Sequence, residues 1–282
     1  METTQTMTIA VSQISDGLWR TLAGPEWSNP GGGLWGGYAL ALCIRALEAE
    51  PSAIGEALSL TTTYAAALPA GELDIRTRLL RQGGSVGVWE VELLQAGSDQ
   101  VAVHTVVTMA RRPTTPRFAF AAMPDAPAPE SLPDPENTAH PMHMAGSAFE
   151  RRTLEGFPPQ QSSSSRSLTW VRCRRGRLDK ALMSMITDNS APRAMYALGP
   201  MIMTTTLTLT AYLHATGAEL DAIGDDYILV ECEGRVGGGG ASDERTSVWS
   251  RSGQLLATSE QLAWYREIRR DGPERAAASY RV

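Results

Sequence analysis

The sequence predicts an α+β protein of two similar halves, each an antiparallel sheet wrapped around a central helix. The first observation behind this is a weak internal repeat. Around Arg81 runs RQGGSVGVWEVELLQAGSDQVAVHTVVTMAR, and around Arg235 runs RVGGGGASDERTSVWSRSGQLLATSEQLAWYR. Each copy has an arginine, a stretch of small residues, a strand, a glycine turn at Gly97 or Gly253, and a second strand. Aligned on Ala102 and Ala257, the copies place Val106 opposite Gln261, so an apolar residue in one half answers an amide in the other. The second observation is a segment apolar on almost every face, followed by strand-like segments joined by short turns. A buried helix and four antiparallel strands are satisfied together if the sheet wraps the helix.

Taken in order, residues 9–22 read as a short helix, followed by the glycine-rich NPGGGLWGG loop. Residues 38–47 (YALALCIRAL) form the buried helix, which ends near Glu50 and Pro51, where proline disfavours continuation. Strands are expected over 58–65, 72–82, 86–95 and 100–110. In the third of these, Val86, Val88, Glu90 and Glu92 alternate with Gly87, Trp89, Val91 and Leu93, the period of a sheet with one buried face. Prolines at 113, 116, 124, 127, 129, 133, 135 and 141 mark an extended connector. The division is therefore 1–112, a linker over 113–141, and 142–282. In the second half strands are expected over 149–155, 167–175, 204–214, 227–235, 245–251 and 255–264. A helix is expected over 178–187, interrupted near Pro192, and a tail over the last residues.

Composition narrows the function. Of 282 residues, 43% are hydrophobic and 20% charged, ordinary for a globular protein rather than a disordered one. A formal charge of -6 argues against a general nucleic-acid binder. No apolar run reaches the length of about 18 residues that spans a membrane, and the N-terminus has no secretory pattern, so a cytoplasmic location is expected. Cys43, Cys173 and Cys232 are odd in number and not in CxxC spacing, and the histidines form no HExxH pattern, His140 and His143 lying among the prolines. No disulfide, metal or cofactor is expected. The absence of GxSxG, Walker and GxGxxG patterns disfavours an α/β-hydrolase and a nucleotide site.

The ordered motifs resemble the acyl-CoA thioesterase II family, double-hotdog enzymes of the thioesterase-like superfamily. WGGY at Trp35–Tyr38 is similar to that family's FGGQ-type turn, with Trp35 for Phe and Tyr38 for Gln. RQGGS at Arg81–Ser85 resembles its RxGxS strand entry, and TWVRCRRG at Thr169–Gly176 its aromatic-basic strand. ITDNS places Asp188 at the family's Asp, TTLTLTAYLH aligns Thr206 with its Thr, and LLATSEQ aligns Gln261 with its Gln. The resemblance implies two fused hotdog domains, each an antiparallel sheet wrapped around a central helix, with the active site in the second half near its interface with the first. It implies hydrolysis of an acyl-CoA thioester, with acyl-CoA as small-molecule partner and no nucleic acid, membrane or cofactor. Exposed sheet edges suggest a homo-oligomer.

In that setting Asp188, Thr206 and Gln261 supply an ionised acceptor, a hydroxyl and an amide able to hold and polarise a water, Asp188 being the expected general base. Gly36, Gly37 and Tyr38 form the expected substrate-binding turn, with the N–H groups of Gly37 and Tyr38 stabilising an oxyanion at a helix N-terminus. Each residue also has a plainer reading. Asp188 would cap a helix starting near Pro192, Thr206 would reflect the β-propensity of a threonine-rich strand, and Gln261 would face solvent. Cys43 reads as a core hydrophobe, and the basic run Arg172, Arg174, Arg175, Arg177 and Lys180 as a solvated strand end or a phosphate contact. Two other functions remain open. One is a non-catalytic acyl-thioester binding protein; the other is a hotdog enoyl-CoA hydratase, which would pair an Asp with a His, for which His214 is the candidate.

Overall fold

In this computed structural model residues 9–29, 31–133, 148–157, 159–174 and 176–267 are described. The expected C-terminal tail, His140, His143, Arg175 and the last part of the expected linker lie outside them. The described residues build one antiparallel sheet of thirteen strands. The first half supplies β1 (Ser12–Ser15), β2 (Leu18–Ala23), β3 (Glu56–Tyr64), β4 (Gly71–Gln82), β5 (Val86–Gln95) and β6 (Val101–Ala110). The second half supplies β7 (Phe149–Glu155), β8 (Ser167–Cys173), β9 (Ile202–Leu213), β10 (Ile228–Glu233), β11 (Gly237–Gly238), β12 (Ala241–Ser250) and β13 (Leu255–Glu267). The order across the sheet is β1-β2-β4-β5-β6-β3-β9-β13-β12-β10-β8-β7, with β11 on β12, so the β3–β9 pair is the seam between the halves.

The helix expected over 9–22 is instead the β1–β2 hairpin. Gly17 turns the chain at φ 66°, and Trp19, Thr21 and Ala23 alternate into the core, a period of two that outweighs the helix-like composition. The other expected strands form within a few residues of their predicted bounds. The helix expected to start near Pro192 forms as α3 (Ala194–Leu198), whereas a second short helix, α4 (Gly217–Ile223), was not expected.

The long helix α1 (Gly36–Ala49) lies on the sheet face formed by β3, β4 and β5, and its partner α2 (Lys180–Ile186) packs on α1 and β9. Leu40, Leu42, Ile44 and Leu47 are fully buried, on the order of 2 kcal/mol of stabilisation apiece. Cys43 is buried among them; its Sγ lies 3.6 Å from Thr105 Oγ1, and burial pushes the thiol up to about 12, a core residue rather than a nucleophile. The two helices run antiparallel. At one end Arg45 pairs with Asp179, the N-cap of α2, at 2.5 Å. At the other, Trp35 Nε1 donates to the Asp188 carbonyl at 2.9 Å.

Backbone hydrogen bonds correct the register of the repeat. The N–H groups of Ala65 and Ala66 both donate to Ala102 O, and those of His214 and Ala215 both donate to Leu256 O. Ala102 therefore corresponds to Leu256, not Ala257, and the residue answering Gln261 is Val107 rather than Val106. In a strand a slip of one residue exchanges the two faces, and Val107 is indeed a core residue while Val106 faces outward. The same frame shows a shared irregularity. β3 skips Leu58 in its pairing with β6, and β9 skips Leu207 in its pairing with β13. These skips put Ala57 in the first half, and Thr206 in the second, on the core face.

Residues 111–128 carry no regular secondary structure. Met123, Ala126 and Leu132 nonetheless pack on the outer face over Leu168, Trp170, Tyr227, Leu229 and Trp249, where Trp170 Nε1 donates to Pro127 O at 2.9 Å. The connector thus covers apolar sheet surface that would otherwise face water.

The helix pair makes one position intolerant of any side chain. A Cβ on Gly37 would lie 2.6 Å from the Trp35 ring and 2.8 Å from the Met185 carbonyl. Gly37→Ala is expected to destabilise the fold by about 2 kcal/mol through overpacking, read as a lowered urea midpoint. An unchanged midpoint would mean that the two helices do not approach as closely as described.

Candidate active site

Asp188 is carried into place by its neighbours. Ser259 on β13 donates its hydroxyl to Thr187 O at 2.8 Å, clamping the end of α2 over the sheet. The Asp188 N–H closes the last turn on Met185 O at 3.1 Å. Its carboxyl then rests against the first turn of α1, where Oδ2 sits 2.8 Å from the point a Cβ on Gly36 would occupy. Burial pushes this carboxyl up to about 8, with the negative charge of Glu244 adding to the shift; the Gly37 N–H and Trp35 act in the opposite sense. The helix-cap reading does not hold. α3 starts at Ala194 with Arg193 at its N-cap position, so Asp188 caps nothing there.

Gln261 and Thr206 arrive on the same face of the sheet. Gln261 is paired with Leu209 on one side and Glu244 on the other, and Ala263 with Thr206. Residues directly opposite in a ladder share a face, so Gln261 points into the core layer beside the buried Leu209 and not to solvent. The skip at Leu207 brings Thr206 round to that face. No hydrogen bond among the described residues joins Asp188, Thr206 and Gln261 directly.

Glu244, a residue the sequence reading missed, touches Gln261 and acts through its charge on Asp188. It is 3% exposed, bonded by Gln261 and set 3.4 Å from the Arg193 guanidinium, and burial pushes its carboxyl up while Arg193 opposes the shift. With its amide nitrogen on Glu244, Gln261 has its Oε1 buried and without a hydrogen-bond partner among the described residues. Arg193 is itself 3% exposed and heavily engaged, donating to Ala191 O and Ser165 O at 2.8 Å and to Ser167 Oγ at 2.9 Å, over the Tyr196 ring. Beyond Arg193 opens a cleft of about 280 Å³ lined by Ser165, Tyr196, Arg235, Ser242 and Tyr265. In the sequence, ASDERTS looks solvated because Asp243 and Arg245 flank Glu244. The period of two, Ser242-Glu244-Thr246, was the available signal.

The predicted turn divides. Gly36 and Gly37 face Asp188. Tyr38 does not: its N–H is spent on Trp35 O at 3.0 Å, and its ring stacks on Trp27 with centroids 4.6 Å apart. Tyr64 at the end of β3 takes its place near the carboxyl. Its hydroxyl donates to Gly36 O at 3.2 Å, and its pKa is raised by burial and then by the Asp188 charge.

The basic run is not a solvated strand end throughout. Arg172 pairs with the buried Glu150 at 2.7 Å, and Lys180 is 4% exposed, 3.6 Å from Glu56. His214 is exposed and bonds Thr258 at 3.1 Å, away from Asp188, so an Asp–His pair is not assembled.

A family profile described as the acyl-CoA thioesterase N-terminal domain matches residues 24–110, and one described as the C-terminal domain matches residues 120–265. The chain belongs to the acyl-CoA thioesterase family. Among solved structures, a conserved protein of unknown function with hot dog fold from Alicyclobacillus acidocaldarius is similar at 24% identity. The match has a TM-score of 0.85 and covers 92% of this chain and 97% of that one. An acyl-CoA thioesterase II from Mycobacterium marinum is similar at 17% identity and a TM-score of 0.69, over 92% of this chain and 96% of that one. These likenesses establish the hotdog fold of this thioesterase-family chain. No curated protein sequence matches it. Among its described residues no helix is long and apolar enough to cross a membrane.

The raised Asp188 carboxyl makes folding pH-dependent. A group whose folded pKa lies above its ordinary value stabilises the fold fully below that ordinary value, and the contribution is lost as pH rises through the folded value. For Asp188 the loss runs from about pH 4 to about 8. Asp188→Asn is therefore expected to gain stability over the parent across that window, reaching on the order of 2 kcal/mol after allowance for the accessible edge of the carboxyl. Thermal melts of both proteins at pH 5 and pH 9 test this; an equal difference at the two pH values would contradict it.

Proposed function

We propose that this chain hydrolyses acyl-CoA thioesters to free carboxylic acid and CoA through a water held by Asp188, Gln261 and Thr206. The observation that carries the reading is the Asp188 carboxyl, lifted to about 8 against the first turn of α1 and opposite the face that bears Gln261. A base with a pKa near the working pH combines a useful ionised fraction with real proton affinity.

In this scheme the Asp188 carboxylate takes a proton from the water as its oxygen attacks the thioester carbonyl. The Gln261 Oε1 accepts a hydrogen bond from the O–H that stays on the water oxygen, and Thr206 aligns the water. Negative charge gathers on the carbonyl oxygen, where the Gly36 N–H at the start of α1 stabilises it, while the Gly37 N–H stays on the Asp188 carboxylate. Collapse breaks the C–S bond, and the proton held by Asp188 passes to the departing thiolate. The enzyme returns to its starting state and no cofactor enters the scheme. The same reading divides the chain into two hotdog units, 1–112 and 142–282, joined by 113–141.

Thiol release from a panel of acyl-CoAs, short to long and aromatic, tests the proposal. Turnover of at least one member is expected, reduced by about 10² to 10⁴ in Asp188→Asn, the usual contribution of a general base. A folded parent inactive on every member would end the hydrolase reading in favour of a binding protein. Glu244 yields a sharper test, because its charge helps hold the Asp188 pKa up. In Glu244→Gln the acidic limb of the kcat/KM profile is expected to move to lower pH. A fall in rate with the limb unmoved would mean that Glu244 only supports the fold.

A further inference from the structure

One cation next to the site has no counter-ion among the described residues. Arg151 on β7 shares its face with Phe149 and lies opposite Val171, so it points into the core layer of the second half. Burial lowers its pKa to about 10, with the like charge of Arg174 adding to the effect. Among the described residues no carboxylate lies within salt-bridge distance of Arg151; the adjacent Glu150 belongs to the other face, with Arg172 and Tyr227. Its hydrogen-bond partner is Asn189 Oδ1, and its guanidinium lies 5.9 Å from the Phe149 ring centroid. A guanidinium has five N–H donors, and holding it out of water without an anion is strongly unfavourable. Asn189 adds a second unmet demand, since its Nδ2 is buried with no partner among the described residues. Both side chains line a pocket of about 20 Å³ with Thr169, Ser190 and Tyr196, room for one water-sized group such as a carboxylate oxygen. Asn189 directly follows Asp188 in the chain.

We propose that Arg151 and Asn189 form a subsite for a carboxylate at the far end of the acyl group, so that the preferred substrates are thioesters of dicarboxylic acids. The inference rests on the hydrolase reading for the place of the thioester, but not for the anion site itself. A guanidinium with no carboxylate beside it and an amide N–H with no acceptor among the described residues ask for an anion. The pocket is too small for the phosphates of a nucleotide, whereas the end of an acyl chain fits it. An acyl tail of hydrocarbon alone would bury the guanidinium further without an anion and leave Asn189 Nδ2 unmet.

The experiment compares glutaryl-CoA with its methyl ester, which keeps the shape and removes the charge, and repeats the pair as N-acetylcysteamine thioesters, which lack the nucleotide. In the parent, kcat/KM for glutaryl is expected to exceed that of the methyl ester by roughly 10- to 100-fold in both series, the usual worth of a charge-assisted pair. Arg151→Gln is expected to bring the ratio close to one, and Arg151→Lys to keep part of it. A parent ratio of one or below overturns the proposal whatever the variants do. A preference confined to the CoA series, with Arg151→Gln slowing both CoA esters alike, assigns the cation to phosphate and also overturns it. Calorimetry of the parent with glutarate and with monomethyl glutarate decides the matter if no thioester is turned over. Tighter binding of glutarate would then sustain the anion site while the hydrolase reading fails, and equal binding would remove both.

Discussion

A carboxylate held against the first turn of a buried helix is tolerable here because the two residues that open that turn, Gly36 and Gly37, have no side chains. Gly36 and Gly37 let the end of α2 approach α1 so closely that Met185 O and Asp188 Oδ2 occupy the space that β-carbons would take. The helix N-terminus supplies unpaired N–H groups and a favourable dipole, which offset part of the cost of an ionised Asp188. Trp35 Nε1 on the Asp188 carbonyl and Ser259 on the Thr187 carbonyl hold the loop from two sides. Remove the approach, and Asp188 becomes an ordinary solvated carboxylate with little basicity.

The antiparallel helix pair has two such ends, and the chain uses them differently. At one, Arg45 and Asp179 neutralise each other. At the other, Asp188 has no cation within hydrogen-bonding range among the described residues and depends on the Gly37 N–H and the Trp35 indole. The sheet below follows the same division. Ala57 and Val107 in the first half occupy the places that Thr206 and Gln261 hold in the second. The duplicated frame therefore provides the geometry twice, while polar side chains appear once. An apolar lining in the first copy is the cheaper state, because each buried polar group needs a partner.

Much of this was legible in the sequence, and the exceptions have definite causes. β5 could be read because its alternation is unbroken, and α1 because it is apolar on all faces. The β1–β2 hairpin was misread as a helix because Gly17 alone carries the turn. α4 was passed over although Thr216 and Glu219 form a capping box, a pattern readable three residues apart. Asp188, Thr206 and Gln261 were singled out by motif order, but their relative placement was not available to it. Thr206 reaches the core face only through the skip at Leu207, and Glu244 meets Gln261 only through a register that shifts at Val248 and Trp249. Register across irregular pairings is a long-range property, and the one-residue error between Val106 and Val107 shows how directly it decides which side chains meet.

The charge distribution of the second half follows from these positions. Two carboxyls, Asp188 and Glu244, share a low-dielectric region with the engaged Arg193, which stands on the Glu244 side at 3.4 Å. Arg193 can offset one negative charge well but not two, since its donors are already committed to Ala191, Ser165 and Ser167. Asp188 has no such cation among the described residues: burial, and then the Glu244 charge, lift its carboxyl to about 8. Glu244 thus has two effects through one contact. It fixes the Gln261 amide with its oxygen free, and its charge raises the basicity of the group that oxygen would work beside. A single buried glutamate on β12, silent in every motif, couples the orientation of one residue to the proton affinity of another.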